Sequence, residues 1–163
     1  MISFKLSKEG RAYVPVHIKP CDEKTLQNIS FKIDTGADLT TISKKELHTI
    51  GYSMEWINKN AVKDVKHTLT RAGGKKETAW YIVIPISNFS GCDMKNWTFY
   101  IRVEKDRDYP NLLGLDVLSN FNFTFNYDMG ILSVEPAKKP VIVFPKLINQ
   151  DISSISVKNE LQI

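Results

Sequence analysis

The feature that most constrains this chain is the run Ile29-Ser30-Phe31-Lys32-Ile33-Asp34-Thr35-Gly36-Ala37-Asp38-Leu39-Thr40. Apolar residues alternate with polar ones at Ile29, Phe31 and Ile33, which predicts a strand with one buried face. The alternation breaks at Asp34 and resumes at Leu39 and Ile42. A carboxyl, a hydroxyl and a glycine are thereby set in a tight loop between two buried strands. A charge carried into such a place is costly unless it is hydrogen-bonded or used chemically. Asp, Thr and Gly also build ordinary turns. A bare Asp-Thr-Gly arises by chance in roughly a few per cent of chains of this length, so the rest of the chain has to decide.

At 163 residues, with 42% apolar and 25% charged residues, the chain has the material for one domain with a core. The net charge of +4 is spread over separated pairs, Lys44-Lys45, Lys75-Lys76 and Lys138-Lys139. No basic block is interleaved with aromatics, so a solvated basic surface is expected and no nucleic-acid partner. The densest apolar run, residues 81–86, contains Pro85 and is too short to span a bilayer, so no membrane partner is expected. The segment Met1–Lys8 has no signal-like apolar core. A cytoplasmic location follows as an expectation, with Cys21 and Cys92 as free thiols. His17, His48 and His67 share no ligand spacing. There is no His-Glu-x-x-His, Cys-x-x-Cys, Walker loop or Gly-x-Ser-x-Gly. No metal and no cofactor are expected.

Residues 2–6 and 11–19 are predicted strands, with Pro15 at an edge or bulge. Residues 20–28 are turn-rich. Ser43-x-x-Glu46 has capping-box spacing, and Leu47, Ile50 and Gly51 complete a short helix over 44–50. Residues 52–64 contain Trp56 and Ile57 but show no clean period, and are expected as loop with at most a helical turn. Residues 65–71 and 76–85 form a predicted hairpin with Gly73 and Gly74 at its tip. A turn over 88–96 and a strand over 97–103 follow. In Leu112-Leu113-Gly114-Leu115-Asp116, Gly114 would let another backbone approach closely, and Asp116 is a candidate helix cap. Phe121, Phe123, Phe125 and Tyr127 alternate strictly, turn at Asp128-Met129-Gly130 and return through Ile131, Leu132 and Val134. Composition changes at Ala137, after which Val141–Phe144 forms an edge-strand-like island and 148–163 a strand or tail.

Three signals thus stand in order: the apolar strand running into Asp34-Thr35-Gly36-Ala37-Asp38, the Gly73-Gly74 hairpin, and Leu112-Leu113-Gly114-Leu115-Asp116 before an aromatic strand. Over roughly residues 11–135 this order resembles the retropepsin-like aspartic proteases, the retroviral-protease superfamily with its cellular and bacterial branch. The resemblance implies an all-β fold with one or two short helices, an acid-protease barrel that is homodimeric. It implies that Asp34 is catalytic and that Thr35 and Gly36 lock the active loop across the dimer. It places Ala37 and Asp38 in the substrate cleft, and Ala72, Gly73 and Gly74 in the flap that closes over bound peptide. Leu113, Gly114 and Asp116 would support the active site. The protease domain would span 1–136, with 137–163 a C-terminal extension. Two departures stand out. Leu115 occupies the place where retroviral enzymes carry an arginine, leaving Asp38 without that partner, and the flap has only two glycines.

The chain has a single Asp-Thr-Gly, because Asp128-Met129-Gly130 lacks the hydroxyl and sits in a hairpin turn. A reaction that needs two carboxyls then requires two copies of the chain. The expected function is an aspartic endopeptidase cutting peptides or proteins between bulky apolar residues, with self-trimming near Val141–Pro145. The alternative is a catalytically silent dimerisation or peptide-binding module on the same fold. Intact Asp34, Thr35 and Gly36 favour the first.

Overall fold

The computed structural model describes residues 1–20, 25–70, 74, 76–102 and 109–138. Cys21, Ala72, Gly73, the island at 141–144 with its expected cleavage site, and residues 148–163 lie outside that set.

Among the described residues, ten strands and three short helices follow one another. They are β1 (Ile2–Lys5), β2 (Tyr13–Ile18), β3 (Gln27–Ile33), β4 (Thr41–Ser43), α1 (Lys44–Thr49), α2 (Met54–Asn60), β5 (Val62–Thr70), β6 (Lys76–Phe89), β7 (Cys92–Arg102), β8 (Asn111–Leu113), α3 (Leu115–Leu118), β9 (Phe121–Asn126) and β10 (Ile131–Pro136). The larger sheet has the order β2-β3-β8-β4-β7-β6-β5, and a second pairing of β2 with β6 closes six of these strands into a barrel. A separate sheet, β1-β10-β9, packs beside it. Closure gives each of the six barrel strands a neighbour on both sides along part of its length, which shortens the edges open to aggregation.

Alternation sets the inner face. Val14, Val16 and Ile18 of β2, Ile29 and Phe31 of β3, and Ile82 and Ile84 of β6 are all essentially sealed from solvent. Phe31 meets Phe99 of β7 at 6.0 Å between ring centroids. The smaller sheet joins this core through Leu132, Val134 and Phe121, with Phe121 edge-on to Phe89 at 4.9 Å. Pro15 stands one position before the β2–β6 ladder begins at Val16, so its missing N–H withdraws no bond from that ladder.

The helix expected over 44–50 is present as α1, with the Ser43 hydroxyl accepting from Glu46 N at 3.1 Å and Leu47 buried beneath. Residues 52–64 are more helical than the single turn allowed for: they contain the seven-residue α2, capped by Ser53 Oγ accepting from Trp56 N at 3.0 Å. Its seven residues bury only Ile57, too little for a helical period to emerge. The turn expected over 88–96 contracts to Ser90 and Gly91, both at positive φ. Cys92 and Met94 then alternate inward while Asp93 and Lys95 face out, so β7 starts five residues earlier than the polar composition suggests.

The strand β8 decides where the site lies. It is inserted between β3, with which it runs parallel, and β4, with which it pairs antiparallel at Thr41. The loop that leaves β3 at Asp34 and enters β4 at Thr41 therefore arches over the end of β8, where the chain turns into α3.

Candidate active site

Asp34 is the first residue past β3. Its N–H donates to Leu113 O at 3.1 Å, so the strand pairing continues up to the loop itself. The turn then closes locally: Ala37 N donates to Asp34 O at 3.1 Å, and Gly36 N to Asp34 Oδ1 at 3.0 Å. The second bond holds the carboxyl by its own loop. A Cβ at Gly36 would lie 3.3 Å from that same Oδ1, leaving little room for a side chain. Asp34 is half-buried, while Thr35, Gly36 and Asp38 are exposed and Ala37 partly covered. Among the described residues, Gly36 N is the one donor to the Asp34 carboxyl.

The far side of the loop is fixed by the β8–α3 junction. Leu115 N donates to Ala37 O at 2.8 Å and Asp116 N to Asp38 O at 3.1 Å. Such bonds need the two backbones in contact. A Cβ on Gly114 would meet Leu39 C at 2.6 Å, Leu39 O at 2.7 Å and Ala37 O at 2.9 Å, all of them backbone atoms. Glycine at 114 is thus required by close approach, as the sequence predicts.

Beneath lies a buried polar cluster. Thr40 Oγ1 accepts from Gly114 N at 3.0 Å and donates to Asp116 Oδ1 at 2.7 Å, while Thr40 N donates to Asp116 Oδ2 at 3.0 Å. Val117 N also donates to Asp116 Oδ1, at 3.0 Å. Asp116 is fully buried. Burial pushes its carboxyl up to about 6, against the opposing pull of the Thr40 and Val117 donors. Asp116 is not the helix cap expected from the sequence. The cap position of α3 is Gly114, which offers no side chain, and the Asp116 oxygens are committed chiefly to Thr40, across 76 residues of sequence. Thr40 itself carried no local signal: it appeared only as one residue in a resuming strand.

The sequence-predicted residues Asp34, Gly36, Ala37, Asp38, Leu113, Gly114 and Asp116 therefore share one connected hydrogen-bond network, and Thr35 sits exposed at its crest. Gly74 is exposed in the connection between β5 and β6, with φ +79° and open space around its Cα. Among the described residues no hydrogen bond ties it to the Asp34 loop. No cluster of three or more potential metal ligands occurs among the described residues. No described helix is long and apolar enough to cross a membrane.

No family model and no curated protein matches this sequence. By fold, however, nine chains of solved structures match. One is a crystal structure of a retropepsin-like aspartic protease from Rickettsia conorii, with a TM-score of 0.56 and 21% identity, covering 82% of this chain and 97% of that one. The fold of this chain is retropepsin-like, as the ordered motifs imply.

Proposed function

We propose that this chain is an aspartic endopeptidase that works as a homodimer, with Asp34 from each copy forming the reacting pair. The observation that carries this reading is the state of the Asp34 carboxyl. It is aimed by its own loop through the Gly36 N–H, on a backbone anchored to Leu113, yet it remains half-open to solvent with one oxygen uncommitted among the described residues. A carboxyl serving only to close the turn would have no need of the buried network built beneath that loop.

Two such carboxyls brought together by a two-fold axis cannot both ionise easily, so the pair holds one proton. The ionised Asp34 takes a proton from water as that water attacks the scissile carbonyl. The protonated Asp34 donates to the carbonyl oxygen, and the leaving amine is then protonated from the pair. The chain's other residues position: Gly36 N holds Oδ1, and Thr35 and Gly36 lie exposed where a second loop would meet the first. An extended peptide would lie across the two loops beneath the β5–β6 hairpins. Strand-like hydrogen bonds would supply affinity, and apolar side-chain pockets a preference for bulky apolar residues.

Peptides with paired bulky apolar residues, assayed with and without a pepstatin-type inhibitor, test the reading. Wild type is expected to cleave, the inhibitor to block it, and Asp34→Asn to be inactive while folded. A fully active Asp34→Asn protein would refute the assignment.

A further inference from the structure

The β5–β6 hairpin is made of two parts. Near the barrel, Val62, Lys63 and Asp64 pair with Tyr81, Trp80 and Ala79. Farther out, Thr68, Leu69 and Thr70 pair with Thr78, Glu77 and Lys76. Between them β5 inserts residues 65–67 while β6 advances by a single step, from Ala79 to Thr78. A bulge of this kind bends the strand and interrupts its ladder, and Val65 within it is 77% exposed. Asp64 is the last base residue before the break.

Although it stands beside that exposed bulge, Asp64 is only 4% exposed. Its Oδ2 accepts the hydroxyl of Tyr100 at 2.9 Å. Tyr100 is itself sealed, at 1% exposure. Burial, and then Asp64, push its hydroxyl well above the usual tyrosine range, so it keeps its proton and donates. Tyr100 also connects two other parts of the molecule. Across the sheet it pairs with Tyr81 of β6 on one side and with Thr41 of β4 on the other, and its N–H donates to Thr40 O at 2.9 Å. Thr40 is the residue whose hydroxyl joins Gly114 to Asp116. One tyrosine therefore links the base of the hairpin to the strand that leaves the Asp34 loop. An apolar pair could fill the same core space without the desolvation that a buried carboxylate costs. The polar pair, directly at the break in the ladder, calls for a positional explanation.

We infer that Asp64 and Tyr100 are positioning residues: their hydrogen bond pins the base of the β5–β6 hairpin to the active-loop strand and sets the pivot at residues 65–67 about which the outer arm meets a bound peptide. This rests on the endopeptidase reading above. Losing the pin leaves the Asp34 chemistry in place and weakens the grip on substrate.

The test compares wild type with Tyr100→Phe, Asp64→Ala and Asp64→Asn by steady-state peptide cleavage and by amide hydrogen exchange. Tyr100→Phe deletes one oxygen and keeps the ring in the core. It and Asp64→Ala are expected to raise KM on the order of tenfold, as the loss of one hydrogen bond to a charged group implies, with kcat within about twofold. Asp64→Asn keeps an oxygen to accept the hydroxyl and is expected to restore KM to within about threefold of wild type. Exchange should quicken at Val62–Asp64 and Thr68–Thr70 and stay unchanged in β2 and β3. An unchanged KM in Tyr100→Phe, a fall confined to kcat, or faster exchange spread over the whole barrel would overturn the inference. A wild-type protein that cleaves no peptide sinks the endopeptidase reading instead. The pivot is then judged by exchange alone: faster exchange local to the hairpin upholds it, and no local change overturns it.

Discussion

Two aspartates, Asp34 and Asp116, sit at opposite ends of one hydrogen-bond network and are treated in opposite ways. Asp116 is sealed in the core, and the chain supplies donors to both of its oxygens: Thr40 N and Oγ1, and Val117 N. Asp34 is half-open and receives a single donor, Gly36 N, from the described residues. One loop reaches both, since Asp34 opens it and Thr40, which holds Asp116, closes it. A lone chain thus completes the brace and leaves the Asp34 carboxyl with an open side. That open side is what makes a second copy part of the proposed function.

The largest expected effect breaks the open end of this comparison. Asp34→Asn should lower peptide cleavage on the order of a thousandfold or more, because a carboxyl used for proton transfer cannot be replaced by an amide. Its melting temperature should stay close to that of wild type, because Gly36 N can still donate to the amide oxygen. Asp116→Ala breaks the closed end and should do the reverse. It strands the Thr40 N–H and takes the acceptor from the Thr40 hydroxyl in the core, and should cost about 2–4 kcal/mol in urea unfolding, with activity lost as the loop loosens.

Asp116 also provides a signature in pH. Its folded-state value of about 6 lies above the ordinary 3.8. The folded chain therefore holds this proton more tightly than the unfolded chain does. The resulting stabilisation is complete below about pH 4 and is lost as pH rises through about 6. The difference corresponds to about 3 kcal/mol. Asp116→Asn cannot titrate, so the stability of wild type relative to this variant should fall by up to about that amount between about pH 3 and about pH 7, in paired denaturation curves.

Smaller effects sharpen the account. Gly114→Ala forces a methyl against Leu39 and Ala37 backbone atoms and should cost about 1–3 kcal/mol, with part of the activity lost through displacement of the loop. Ser43→Ala removes the cap of α1, outside the network. It should cost only about 1 kcal/mol and leave cleavage unchanged.

Much of this was legible in the sequence because it is local. The alternation of Ile29, Phe31 and Ile33, the Ser43-x-x-Glu46 cap and the Phe121–Val134 hairpin each announce themselves within one short stretch of sequence. Gly114 was legible for a related reason: a glycine directly after two consecutive leucines has few other uses. The contacts that complete the network were not. Thr40 with Asp116, and Asp64 with Tyr100, join residues 76 and 36 apart, and none of the four stands in a pattern that reveals its partner. Asp116 was misplaced as a cap because acidic residues near helix starts usually cap, and nothing nearby points to Thr40. The full extent of α2 was not legible because a single buried residue, Ile57, sets no period.

Specific activity as a function of protein concentration, measured beside the dimer fraction from sedimentation, tests the central claim most directly. If one Asp34 is half of the site, specific activity should rise with concentration in step with the dimer fraction, and an excess of Asp34→Asn chains should suppress wild type. Constant specific activity at concentrations where only monomer sediments would contradict the account.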